Sequence, residues 1–178
     1  MTNELLWKSL KRGDKHALEI IYKNEVNHLY NYGIRFTQDR HLILDAIHDT
    51  FEEIWKRRKN LSPEVSIRPY LMTSVRRRIV VLIQKNSAGP RMDTFFLNLE
   101  DNQQNVEKQW IDFENQSLNQ NKLEKALRVL STRQKEAVYL KFYENLSYEE
   151  IGNIMGIHYQ SIRNLVTQAL KKMKDEWK

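Results

Sequence analysis

At 178 residues the chain exceeds a typical single helical domain and leaves room for two small ones joined by a linker. It contains no cysteine, which excludes disulfide staples, thiolate metal sites and a cysteine nucleophile, and fits a reduced, cytoplasmic setting. Lys and Arg outnumber Asp and Glu by 29 to 23, and the placement says more than the total: residues 1–88 hold 16 basic and 10 acidic side chains, 89–121 hold 2 and 6, and 122–178 hold 11 and 7.

Two basic blocks thus flank an acidic segment, an arrangement that suits a polyanionic partner through counterion release; ordinary solubility charge is the competing reading. The longest apolar run, Ile79 to Ile83, is far short of the ~20 residues that span a bilayer, and the N-terminus lacks the pattern of a secretory leader. A soluble, unprocessed chain is expected.

Only five Gly and three Pro occur, and apolar residues recur at three- and four-residue spacing almost throughout, so the expected fold is all-α. A short helix is predicted from Glu4 to Lys11, stopping at Gly13. Asp14 is placed to cap a second helix carrying Ala17, Leu18, Ile21, Tyr22, Leu29, Tyr30 and Ile34 and ending near Thr37. Asp39 can cap the third, whose stripe of Leu42, Ala46, Ile47, Phe51, Ile54 and Trp55 runs into a basic end at Lys56, Arg57, Arg58 and Lys59, where cations suit the helix dipole. Asn60 to Pro63 reads as a loop. The fourth helix starts near Arg68, tolerates Pro69 in its first turn, and continues through Leu71, Met72, Val75, Ile79, Leu82 and Ile83.

These four helices form an expected N-terminal domain over residues 1–88. Residues 89–121 are acidic and rich in Gln and Asn, the composition of a flexible linker, with room for a short helix around Trp110 and Phe113. Helical periodicity resumes with Leu123, Ala126, Leu127 and Leu130, then with Ala137, Val138, Leu140 and Phe142, so a second small helical domain is expected over 122–178.

The most informative stretch is Leu146 to Leu170. Ser147 followed three residues later by Glu150 forms a capping box, so a helix begins there and carries Ile151, Ile154 and Met155 inward. Gly156 supplies a turn, Ile157 plugs the angle, and a second helix starts near Tyr159: helix-turn-helix spacing. In that helix Ile162, Leu165, Val166, Ala169 and Leu170 share one face. Tyr159, Gln160, Ser161, Arg163, Asn164 and Thr167 are left pointing outward, residue types that read base edges in the major groove. Lys171, Lys172 and Lys174 add phosphate partners. A plain helical hairpin with a polar face is the competing reading.

Residues 146–174 resemble region four of the extracytoplasmic-function sigma factors, a subgroup of the sigma-70 family, and Leu130 to Leu140 is similar to the segment preceding it there. The N-terminal half resembles region two at Lys11 to Asp14, Asp45 to Trp55 and Ser66 to Arg76, in the same order. The resemblance implies that the helix bearing Asp45, Asp49, Thr50, Glu52 and Glu53 docks on core RNA polymerase. It also implies that the loop after Asn60 and the helix behind it capture and melt the minus-ten promoter element. Lys59, Asn60, Arg68, Tyr70, Arg76, Arg77, Arg78 and Lys85 are the candidates for that work, and the resemblance implies that Tyr159, Gln160, Ser161, Arg163, Asn164, Thr167, Lys171 and Lys172 read the minus-thirty-five element. An anti-sigma partner is implied as well.

Three departures stand out. Arg76, Arg77 and Arg78 occupy a stretch where Asn is usual, His158 replaces the usual Ser or Thr cap, and Leu165 and Gln168 stand where basic residues are common.

Chemistry is absent from the pattern. His16, His28, His41, His48 and His158 show no metal spacing, and no phosphate-cradling glycine loop or nucleophile elbow occurs, so no cofactor, no small-molecule substrate and no catalysis are expected. The alternative to a polymerase-dependent factor is an autonomous helix-turn-helix regulator binding duplex DNA as a dimer. A protein-binding adaptor is a third reading, disfavoured by the two basic blocks.

Overall fold

The computed structural model describes residues 2–63, 65–86, 123 and 125–177. All regular structure among them is helical, and the chain divides into two compact units. The proposed linker, with Trp110 and Phe113, lies outside the described residues. No helix of the described residues is long and apolar enough to cross a membrane.

The first unit holds α1 (Asn3–Lys11), α2 (Lys15–Gly33), α3 (Arg40–Arg57) and α4 (Ile67–Asn86), with a 3-10 turn over Arg58–Asn60. Local chemistry starts these helices. The Asp14 carboxylate accepts from the backbone N–H groups of His16 and Ala17, and that of Asp39 from His41 and Leu42, satisfying donors that a helix start leaves unpaired. The core is Leu6, Trp7 and Leu10 of α1 against Ile21, Leu29 and Tyr32 of α2, Ile43, Ala46, Ile47 and Ile54 of α3, and Leu71, Met72, Val75 and Ile79 of α4.

Two expectations are corrected here. Helix α2 ends at Gly33 rather than near Thr37, because residues 34–36 turn instead of continuing the helix. Tyr22 lies on the surface, edge-on to Phe51 with ring centroids 5.0 Å apart.

The second unit holds α5 (Thr132–Val138), which passes into a π turn over Tyr139–Tyr143, then α6 (Tyr148–Met155) and α7 (Tyr159–Glu176). Ser131 and Gln134 form a capping box at the start of α5. The π turn closes with the Glu144 N–H donating to the Tyr139 carbonyl at 3.2 Å, and its wider loop breaks the 3.6-residue register. Leu140 is buried, while Phe142, counted in the same apolar periodicity, is 58% exposed.

Candidate nucleic-acid interface

The helix-turn-helix is built from the bottom by its caps and glycines. Ser147 Oγ accepts from the Glu150 N–H at 3.2 Å, and Glu150 Oε2 accepts from the Ser147 N–H at 2.8 Å. Helix α6 ends at Gly156, whose φ of +69° is the left-handed conformation that glycine adopts without steric cost. Gly152 matters for a different reason. A Cβ there would lie 2.8 Å from the Ile157 carbonyl oxygen, so only glycine lets the turn fold back onto α6, where the Ile157 N–H donates to the Gly152 carbonyl at 3.0 Å. His158 begins α7 without a side-chain cap bond; its carbonyl accepts from the Ser161 and Ile162 N–H groups instead.

Helix α7 buries Ile162, Val166 and Ala169 and half-buries Leu165. Tyr159, Gln160, Ser161, Arg163, Asn164, Thr167, Lys171, Lys172 and Lys174 are all exposed along the opposite side. Leu170 does not join the inner face and is 44% exposed. Lys172 is partly committed within the unit, donating to Gln134 Oε1 at 3.2 Å. The Tyr159 ring stands edge-on to Tyr148 at 5.9 Å, and the Lys141 ammonium lies 4.8 Å from the Tyr148 ring centre.

In the first unit the candidate residues sort by burial. Thr50 is 2% exposed and donates its hydroxyl to the Ala46 carbonyl at 2.7 Å, so it packs inside and does not present a docking surface. Arg76 is buried as well. Arg68 is drawn inward by the buried Glu25, its Nε donating to Oε2 at 2.8 Å and Nη2 to Oε1 at 3.5 Å. Arg78 donates to Glu53 and, at 3.4 Å, to Asp49, tying α4 to α3. Glu53 also meets Arg57 at 3.2 Å, and Glu52 meets Lys56 at 2.5 Å. The hydrogen bond and charge of Lys56 hold the Glu52 carboxyl below the usual carboxylate range. Asp45, Lys59, Asn60, Arg77 and Lys85 are exposed.

A groove of about 550 Å³ runs between α3, α4 and the turn that joins them, lined by Leu61, Tyr70, Arg77, Arg78, Glu53 and Arg57 among others. It brings Tyr70, Arg77 and Arg78 of the minus-ten candidates together and omits Lys59, Asn60, Arg68, Arg76 and Lys85. Burial pushes the Tyr70 hydroxyl above its ordinary pKa, helped by the charge of Glu53 and opposed by Arg57. The hydroxyl is thus a neutral hydrogen-bonding group in a groove that the guanidinium groups of Arg57, Arg77 and Arg78 also line. No cluster of His, Asp or Glu among the described residues is arranged to hold a metal ion.

Sequence reasoning missed Trp7 and Lys11, whose side chains reach the backbone of the loop after Asn60. A tryptophan on so short a helix was the available signal.

A two-unit helical chain with a helix-turn-helix in its second unit is the class defined by this geometry. Family comparisons make it specific: the model for Sigma-70 region 2 matches residues 21–88, and that for Sigma-70, region 4 matches residues 120–173. The chain belongs to the sigma-70 family.

The RNA polymerase sigma-B factor of Bacillus subtilis (strain 168) is 36% identical over 53 residues, a match spanning 30% of this chain and 20% of that protein. Among solved structures, CnrH in complex with the cytosolic domain of CnrY superposes with a TM-score of 0.65 at 15% identity, covering 97% of this chain and 95% of CnrH. The sigma factor RpoE, solved with the anti-sigma factor NepR from Bartonella quintana, gives 0.57 at 20% identity, covering 91% and 94%. At these identities the two structures speak for the fold.

Proposed function

We propose that this protein is a promoter-specificity subunit of the extracytoplasmic-function type: it binds core RNA polymerase, reads the minus-ten and minus-thirty-five elements, and performs no catalysis of its own. The observation that carries the reading is the pairing, in one chain and in family order, of a region 2 unit with a region 4 unit whose α7 exposes Gln160, Arg163 and Asn164. Arg suits guanine, and Asn or Gln suits adenine, at major-groove base edges. Residues 1–88 serve as the minus-ten unit, 122–178 as the minus-thirty-five unit, and 89–121 as the tether.

In the first unit, the groove beside Tyr70 receives a base displaced from the duplex. An aromatic ring offers stacking, and Arg77 with Arg78 neutralises the neighbouring phosphates. Asp45 and the acidic side of α3 meet the polymerase. The two fold neighbours were solved with CnrY and with NepR, and an anti-sigma protein is the corresponding partner here.

Reconstitution with core polymerase tests the reading. Full-length protein alone should bind promoter DNA weakly and with steep salt dependence, and core enzyme should make binding tight and promoter thymines reactive to permanganate. Thymines that react equally with free protein, and no transcript on adding core enzyme, would remove it.

A further inference from the structure

Helix α1 lies before both matched family segments, yet it holds the loop on which the minus-ten reading depends. Trp7 is almost fully buried, and its indole Nε1–H donates to the Ser62 carbonyl at 2.9 Å. Four residues on, and so on the same side of the helix, Lys11 Nζ donates to the Leu61 carbonyl at 2.6 Å. The 3-10 turn ends at Asn60 and Leu61 is extended, so neither of these carbonyls belongs to a helix. The Trp7 ring also stands edge-on to Tyr70, with centroids 5.5 Å apart at an interplanar angle of 68°. One face of α1 therefore fixes two successive loop carbonyls and one flank of the groove's aromatic residue.

We infer that Trp7 and Lys11 are positioning residues for promoter capture: they pre-organise the loop at Leu61 and Ser62 and the Tyr70 ring, so that a displaced base meets a formed site. The inference rests on the minus-ten role proposed above for that loop. Its physical content is that a site ordered before binding loses less freedom when it closes on its ligand. Trp7→Phe keeps most of the ring and deletes the donor; Lys11→Met keeps the stem and deletes the charge; Lys11→Arg keeps a donor.

The test uses holoenzyme made from core polymerase and full-length protein, on a promoter selected from random DNA with the wild-type holoenzyme. Opening is followed by 2-aminopurine fluorescence within the minus-ten element. Trp7→Phe and Lys11→Met should each slow opening by roughly 3- to 10-fold, the size expected for one hydrogen bond, while affinity for core enzyme stays at the wild-type value and Lys11→Arg recovers the rate. Discrimination between the selected minus-ten element and its single-base variants should narrow by a similar factor, with discrimination at the minus-thirty-five element unchanged. A merely structural role would lower the active fraction on every template alike. Equal losses at both elements, or opening at the wild-type rate in both donor-deleting variants, would overturn the inference. Failure of the wild-type holoenzyme to open any selected DNA would overturn instead the function on which it rests.

Discussion

Removing Arg68 should unfold the first unit more readily rather than merely weaken its hold on DNA. Glu25 sits in α2 with 5% of its surface exposed, and the Arg68 guanidinium from the first turn of α4 is its charged partner at 2.8 Å. Arg68→Ala leaves that carboxylate inside without this cation. A fully buried pair broken in this way costs about 3–5 kcal/mol. The Arg68 side chain is 31% exposed, so water reaches part of the site and the cost falls to about 2–3 kcal/mol. With a denaturant slope of about 1–3 kcal/mol per molar urea, the unfolding midpoint of the first unit should drop by about 1 M. Circular dichroism of the full chain in urea reads this directly. The double variant Glu25→Leu with Arg68→Met replaces both charges by apolar groups and should return to within about 1 kcal/mol of the wild type. A midpoint for Arg68→Ala within about 0.2 M of wild type, combined with loss of promoter opening by the holoenzyme, would show that Arg68 serves DNA and that the reasoning from burial is wrong.

On the minus-thirty-five side, Arg163→Ala should cost about 1–3 kcal/mol at the preferred duplex and relax specificity there, whereas Lys171→Ala should weaken all sequences alike and lower the salt slope by about one; gel-shift competition across salt concentrations separates the two. Thr50→Val should leave retention of core polymerase unchanged in a pull-down because the hydroxyl faces the Ala46 carbonyl, while Asp45→Lys should reduce it. Burial raises the hydroxyl pKa of Tyr70 in the first unit and of Tyr139 in the second, each aided by a nearby carboxylate, Glu53 and Glu144 respectively. The unfolded chain then releases these protons first, so the stability they contribute is intact below pH about 10 and is lost as pH rises beyond it; Tyr70→Phe should flatten the alkaline fall in the urea midpoint.

What was legible in the sequence was local. Asp14, Asp39 and the Ser147–Glu150 box act on backbone groups two or three residues away, and each cap is where its pattern places it. The end of α2 was not legible, since Gly33 leaves the helix without the left-handed glycine that marks many helix ends. Register explains two further misses. Phe142 lies about 200° around a 3.6-residue helix from the buried Leu140, so apolar spacing that counts both does not place both on the inner face. Leu170, eight residues past Ile162, has rotated about 80° from it and sits at the margin of the inner stripe, where apolar character alone does not decide burial.

Charge was legible as kind but not as partnership, and that difference decides which cations of the first unit are usable. Arg78 meets Asp49 and Glu53 across 29 and 25 residues of chain, and Arg68 meets Glu25 across 43, separations at which no local pattern operates. The cost of redirecting each to a phosphate follows from burial. Lys59, Arg77 and Lys85 are exposed, so a phosphate contact would cost them little reorganisation. The carboxylates facing Arg78 are about half exposed, and pairs of that kind contribute about 0–1 kcal/mol, so phosphate can replace them at small cost. Arg68 would have to abandon a buried carboxylate, and Arg76 would have to leave the core. The run Arg76, Arg77 and Arg78 thus divides into one residue that packs, one that is exposed, and one that is paired with α3.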